Sequence, residues 1–175
     1  MRHYPSPLSV VIKGALSGLV GTAVLTEAMK RAPVLMQQLG LAPSDISAPR
    51  TIEQAEQQAG QPTEKLAEKV AVGVLDRPIE ENSKQVAGQL VHWGYGTAWG
   101  VLYGIVQGSI RWPDLVHGTL FGTLVATVAS TLVPAMGLTP PPARQPVVRK
   151  AMQIGFHLVY GWTTALTFRL LSRGD

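Results

Sequence analysis

Long apolar stretches separated by one polar segment set the pattern of the chain. Four stretches with few charged residues occupy residues 8–28, 86–110, 115–138 and 147–171. A helix needs about 20 mostly apolar residues to cross the hydrocarbon of a bilayer, and each stretch has this length. The pattern therefore predicts an all-α fold: a polytopic membrane protein, built as a single membrane domain of residues 1–175 with a bundle of four transmembrane helices.

The only long polar segment, residues 30–85, is predicted to be a loop that carries short amphipathic helices. Four prolines divide it into short pieces: Pro33, Pro43, Pro49 and Pro62. Thr51 and Gln54 have the spacing of a capping box and predict a helix that ends near Gln58. A second helix is predicted from Thr63, because apolar residues recur there every four positions. This helix could dock on the bundle or lie on the membrane surface.

Glycine recurs at four-residue spacing inside the predicted spans, which places the glycines of each helix on one face. His92 shares this register in the second span. Small residues allow two helix backbones to approach closely. We therefore predict helix-packing surfaces at Gly96, Gly100, Gly104, Gly118, Gly122 and Gly161.

The four predicted spans also align in pairs, which indicates a duplicated helical hairpin. The first and third spans match at an offset of 104 residues, as from Gly14 to Gly118, and the second and fourth at 65, as from His92 to His157. Two hairpins in one orientation would be related by an axis along the membrane normal. Residues 44–85 would be an insertion in the first copy. This alignment predicts equal depth for His92 and His157.

His92 and His157 are the sharpest candidates for chemistry. They could hydrogen-bond to neighbouring helices, ligate one b-type haem, or serve a proton-linked or solute-linked role. A metal site is not predicted, because no nearby carboxylate or cysteine completes a usual ligand set. Lys13 and His117 occupy equivalent repeat positions, where they could outline a polar path or simply anchor the helices at the interface.

Composition agrees with a membrane protein: 46% of the residues are hydrophobic, only 15% are charged, and cysteine is absent. The net charge of +4 comes from Lys and Arg that flank apolar stretches, as anionic lipids select, and no basic stripe suggests nucleic acid. With four spans, ten basic residues fall on the side of the polar loop and the proline-rich connector, and five on the other. This excess predicts that loop 30–85 is cytoplasmic.

Residues of the last two spans carry a family resemblance. Met136-Gly137-Leu138-Thr139-Pro140-Pro141, followed by His157-Leu158-Val159, resembles the YagU-type family of uncharacterised bacterial inner-membrane proteins over about residues 88–173. The resemblance implies a multi-pass protein of the bacterial inner membrane, with an association with acid tolerance.

No catalytic motif occurs in the sequence, so the leading expectation is a non-enzymatic structural, assembly or stress-related role. The expected partners are the lipid bilayer and a further copy of the chain or another membrane protein. The alternative is a protein that binds haem b, or conducts protons or a small solute, through His92 and His157.

Overall fold

A computed structural model describes residues 6–38, 40, 61–107, 113–145 and 147–173. Its elements are α1 (Pro7–Gln38), α2 (Pro62–Leu75), α3 (Glu81–Gln107), α4 (Asp114–Ala135), a single 3-10 turn (Pro142–Arg144) and α5 (Val147–Leu171). Every regular element within these ranges is helical. The prediction of an all-α fold is therefore confirmed for the described part of the chain.

The helices follow the apolar stretches closely, but α1 and α3 extend into the polar segment. α1 continues through Pro33 to Gln38, so the prediction that Pro33 breaks the chain there is wrong. Ion pairs of Glu27 with Lys30 (2.9 Å) and with Arg31 (3.7 Å) support the turns before the proline. The predicted helix between Thr51 and Gln58 lies outside the described residues.

Both ends of α4 are explained by local chemistry. At its carboxyl end Gly137 has a φ of +70°, and the amide of Leu138 donates to the carbonyl of Val133 at 3.1 Å, a Schellman arrangement that stops the helix just after Pro134. At its amino end Pro113 occupies the N-cap position, and the side chain of Asp114, the first residue of the helix, pairs with Arg169.

The described residues fall into two compact units, where the sequence predicts a single domain. One is Glu27–His92, and the other combines Met1–Thr26 with Trp93–Asp175. Within the first, α2 packs on the start of α3: a Cβ built at Gly88 would lie 2.6 Å from Cγ of Glu64. Lys84 binds Glu81 at 2.8 Å and Glu68 at 3.5 Å. The hydrogen bond to Glu81 raises the pKa of Lys84 above its usual value.

The second unit has an unusual distribution of side chains. Several of its most deeply buried side chains are small and hydroxylated: Ser17, Thr22 and Thr164 are at most 1% exposed. Ser17 and Thr22 donate to carbonyls one turn back in α1, at 2.7 and 2.8 Å, so their burial leaves these hydroxyls satisfied. Large aliphatic side chains such as Leu16, Leu102 and Leu124 lie outside, at 46 to 52% exposed.

Candidate functional site

α1 and α3 approach at backbone distance along their glycines. A Cβ built at Gly14 would lie 2.6 Å from the carbonyl oxygen of Gly100, and one at Gly18 would lie 2.6 Å from that of Gly96. A Cβ at Gly104 would meet the Val10 carbonyl oxygen at 2.8 Å. Since real Cβ contacts are essentially never this short, only glycine fits these positions without moving a helix. We call this contact the first seam.

α4 and α5 form a second seam of the same kind. A Cβ at Gly118 would lie 3.0 Å from Cα of Trp162, and one at Gly122 would lie 2.5 Å from the carbonyl oxygen of His157. A Cβ at Gly161 would lie 2.8 Å from Cα of Gly122. Both seams therefore join antiparallel helices through backbone atoms.

The packing contacts match residues of α3 with residues of α5 at a different offset from the one that the sequence alignment predicts. Gly14 faces Gly100 in the first seam, and its counterpart Gly118 faces Gly161 in the second. The offset between α3 and α5 is then 61 residues, as from Gly100 to Gly161, and not the predicted 65. The packing counterpart of His157 is therefore Gly96. The packing register therefore differs from the sequence alignment by one helical turn, because glycines four residues apart can pack in either register. The sequence equivalence of His92 and His157 stays a prediction.

Aromatic side chains fill the space between the seams. Tyr103 of α3 lies 4.9 Å from Phe121 and 5.8 Å from Phe168, measured between ring centroids. Tyr160 of α5 reaches across to α3, where its hydroxyl donates to the Gly96 carbonyl at 2.6 Å. The missing side chain at Gly96 leaves this carbonyl accessible, so a packing glycine also serves as an acceptor site.

The predicted polar residues occupy different surroundings. His157 is half-buried, with Nδ1 2.7 Å from the carbonyl oxygen of Gln153 in its own helix. His92 is half-buried on α3 and belongs to the unit Glu27–His92, whereas His157 belongs to the other.

His117 is 7% exposed and lies edge-on to Tyr103, with 6.1 Å between ring centroids. Lys13 is half-buried on α1, next to Gly14. A haem site and a polar path both remain predictions.

Sequence reasoning missed three polar features. These are the Tyr160–Gly96 hydrogen bond, the buried hydroxyl of Tyr103, and the Arg169–Asp114 ion pair, in which Nη1 and Oδ2 are 2.5 Å apart. The hydrogen bond and the ion pair join residues that are far apart in sequence, and the Tyr103 hydroxyl is buried by rings of other helices, so no local spacing indicates these features. Within the described ranges, no group of three or more His, Cys, Asp or Glu could hold a metal ion.

The two buried tyrosines are expected to respond oppositely to loss of the hydroxyl. Tyr160→Phe removes the bond to Gly96 and leaves a buried carbonyl without this donor, so it should lower the free energy of unfolding by about 1 kcal/mol. Tyr103→Phe removes a buried hydroxyl that has no acceptor among the described residues and should leave stability unchanged or higher. Unfolding by denaturant in detergent micelles measures both. A larger loss for Tyr103→Phe than for Tyr160→Phe would contradict the assignment.

These contacts define an α-helical protein whose long helices are joined at backbone distance through glycine. The chain belongs to the DUF1440 family, described as proteins of unknown function, whose sequence profile matches residues 40–166. This match includes α2 and the polar segment 44–85, which our sequence comparison placed outside the resemblance. No curated protein and no solved structure matches the chain significantly.

Proposed function

We propose that this protein is a multi-pass protein of the bacterial inner membrane in which α1, α3, α4 and α5 all cross the bilayer, and that its role is structural rather than catalytic. The observation that carries the proposal is the distribution of side chains around the two seams. The interior consists mainly of Gly, Ala, Ser and Thr with aromatic rings, and Leu25, Val125 and Leu138 are the buried aliphatic residues larger than alanine among those described; most Leu, Val and Ile side chains lie on the exterior. Water selects against large exposed apolar surfaces, whereas hydrocarbon accepts them.

Two of the described helices, α1 and α4, are long and apolar enough by themselves to cross a membrane. α3 and α5 do not meet the same test of length and composition, and they carry His, Gln, Trp and Tyr as well as glycine. Their packing favours the same environment for all four. Each is held at backbone distance to an apolar partner, α3 to α1 and α5 to α4, and each presents exposed leucines on its other side.

The proposed role is to act as a compact membrane scaffold, in the stress-related or assembly context that the YagU-type resemblance suggests, including acid tolerance. Helices in hydrocarbon gain little from hydrophobic burial, so close packing and hydrogen bonds hold them together. Both are present here, in the seams and in the Tyr160–Gly96 bond. The resemblance supports the bacterial inner membrane as the location, and the excess of basic residues on segment 30–85 supports a cytoplasmic position for it.

The absence of cysteine from the sequence makes the topology directly testable. Single cysteines are introduced at Ser6, Lys65, Pro113, Ala143 and Ser172, and a membrane-impermeant maleimide is applied to intact and to permeabilised cells. With four spans, positions 6, 113 and 172 share one side and positions 65 and 143 share the other. With α1 and α4 as the only spans, position 113 joins position 65, and position 143 joins position 6.

Positions 113 and 143 therefore decide between two and four crossings. A Cys at Leu124 is the control: in a span it should stay unlabelled until the membrane is dissolved. The proposal of a membrane protein is overturned if the chain is extracted from membranes by carbonate, or if the Leu124→Cys variant is labelled as readily as Ser6→Cys.

A further inference from the structure

The outer face of the α4–α5 hairpin carries a groove that none of the roles above uses. It has a volume of about 510 Å³ and is lined by Pro113, Asp114, Leu115, Trp162, Leu166 and Arg169. One end is charged, because Arg169 pairs with Asp114 there. The rest is apolar, with Leu115 74% and Leu166 53% exposed.

The groove changes from charged to apolar along the helix axis, as a phospholipid does from its headgroup to its acyl chains. Asp114 is the first residue of α4 and Arg169 lies in the last turn of α5, so the ion pair marks one end of the hairpin. Trp162 lies seven residues before Arg169, roughly 10 Å further along α5 at 1.5 Å per residue. If these helices cross the bilayer, the charged end lies at headgroup level and the apolar walls point toward the acyl chains.

The aromatic wall of the groove is fixed in position. The Nε1 of Trp162 donates to Oγ1 of Thr119 at 2.9 Å. The same ring lies against Gly118, where a Cβ would be 2.8 Å from Cδ1 of Trp162. A wall held on two sides loses little freedom when a ligand packs on it, which favours binding.

The charged end of the groove presents a positive charge on Arg169 and a negative charge on Asp114, which form one ion pair. The side chains remain accessible, with Arg169 54% and Asp114 24% exposed. A guanidinium has five N–H donors and a carboxylate has two acceptor oxygens, so their mutual contact leaves binding capacity on each. A ligand that carries a phosphate and an ammonium together matches this pair better than a ligand with a single charge. A quaternary ammonium, without N–H donors, cannot hydrogen-bond to the carboxylate.

We propose that this groove is a binding site for one phosphatidylethanolamine molecule. Its phosphate binds the guanidinium of Arg169, its primary ammonium donates to the carboxylate of Asp114, and the upper part of an acyl chain lies along Leu115, Trp162 and Leu166. This inference rests on the proposed membrane location, since the groove faces lipid only if α4 and α5 cross the bilayer.

The test is lipid retention measured by native mass spectrometry. The full-length protein is purified from nanodiscs that contain equal amounts of phosphatidylethanolamine, phosphatidylglycerol and phosphatidylcholine with identical acyl chains. We expect one phosphatidylethanolamine to be retained in preference to the other two lipids. Arg169→Gln and Asp114→Asn should each weaken its retention about tenfold, the effect of losing a hydrogen bond to a charged group. The matched control is Arg173→Gln, one turn further along and outside the groove, which should retain the lipid.

A second variant separates lipid binding from stability of the hairpin. Leu166→Trp leaves the ion pair intact and fills the apolar part of the groove from an exposed position, so it should fold normally and lose the lipid. The inference is overturned by equal retention of all three lipids, by a preference for phosphatidylglycerol, or by equal losses in Arg169→Gln and Arg173→Gln. If cysteine labelling shows that α4 and α5 cross the bilayer and no lipid preference is found, this inference alone fails.

Discussion

Replacing Gly18 or Gly100 by alanine should destabilise the protein by about 2 kcal/mol, even though alanine is the better helix former. The added Cβ at Gly18 would lie 2.6 Å from the Gly96 carbonyl oxygen, and the one at Gly100 would lie 2.6 Å from the Gly18 amide nitrogen. Backbone atoms cannot rotate away, so the helices must separate along the first seam. Overpacking of this kind typically costs 1–3 kcal/mol. The free energy of unfolding in detergent micelles measures the loss.

The matched control for Gly100→Ala is Gly94→Ala, which lies on the same helix, α3. Gly94 is two residues from Gly96, and a Cβ built there meets nothing within 4 Å. Gly94→Ala should therefore raise stability by roughly 0.5–1 kcal/mol through helix propensity alone. Gly155 and Gly161 give the same comparison on α5, with Gly155 open and Gly161 against Gly122. If the open and the packed glycines respond alike, the seams do not hold the helices together.

Arginine at Leu124 should abolish stable membrane insertion of α4. Leu124 is central in that helix and 52% exposed. On a soluble protein an exposed leucine can become arginine at a cost within about ±0.5 kcal/mol. In the centre of a membrane span the same change costs about 2.5–3.5 kcal/mol on insertion scales, which is roughly a hundredfold in the insertion equilibrium. Maleimide labelling of a cysteine at Ala143 in intact cells measures the change, because this position moves to the other side of the membrane when α4 fails to insert.

Leu102→Arg applies the same test to α3, which composition alone does not mark as a span. Leu102 is 50% exposed, so its replacement disturbs little internal packing. Two variants serve as controls: Leu124→Ala, which removes volume without adding charge, and Leu75→Arg, at a 68% exposed position of α2. Unchanged labelling of position 143 in Leu102→Arg, together with altered labelling in Leu124→Arg, would mean that α3 does not lie in hydrocarbon.

The sequence predicts the helices well because each signal is local. Apolar length and flanking charges place α5 at residues 147–171, as observed, and α4 within three residues at each end. The extension of α1 to Gln38 is missed because a proline inside a helix is treated as a break. Four-residue spacing also indicates which helix faces carry the glycines that form the seams.

The geometry of the candidate site depends on side chains that meet across long sequence separations. The Tyr160 hydroxyl reaches Gly96, 64 positions earlier, and Arg169 reaches Asp114, 55 positions earlier. Neither pair has a spacing that could be recognised along one helix. The role of Gly96 as an acceptor is hidden for the same reason: glycine offers only its backbone, and what contacts that backbone is decided by the neighbouring helices.

The one-turn difference between the packing register and the sequence alignment shows that a glycine repeat sets the distance between two helices without fixing their register. A stripe of small residues every four positions presents nearly the same surface after a slide of four residues, about 6 Å. Under the predicted alignment the two hairpins differ by this slide, and His157 has the packing position in the second seam that Gly96 has in the first. Glycine thus determines how closely two helices approach, and the larger side chains determine the register in which they pack. If the two hairpins arose by duplication, residues that correspond in sequence therefore lie one turn apart along the helix axis. The two copies then present different residues at the same depth.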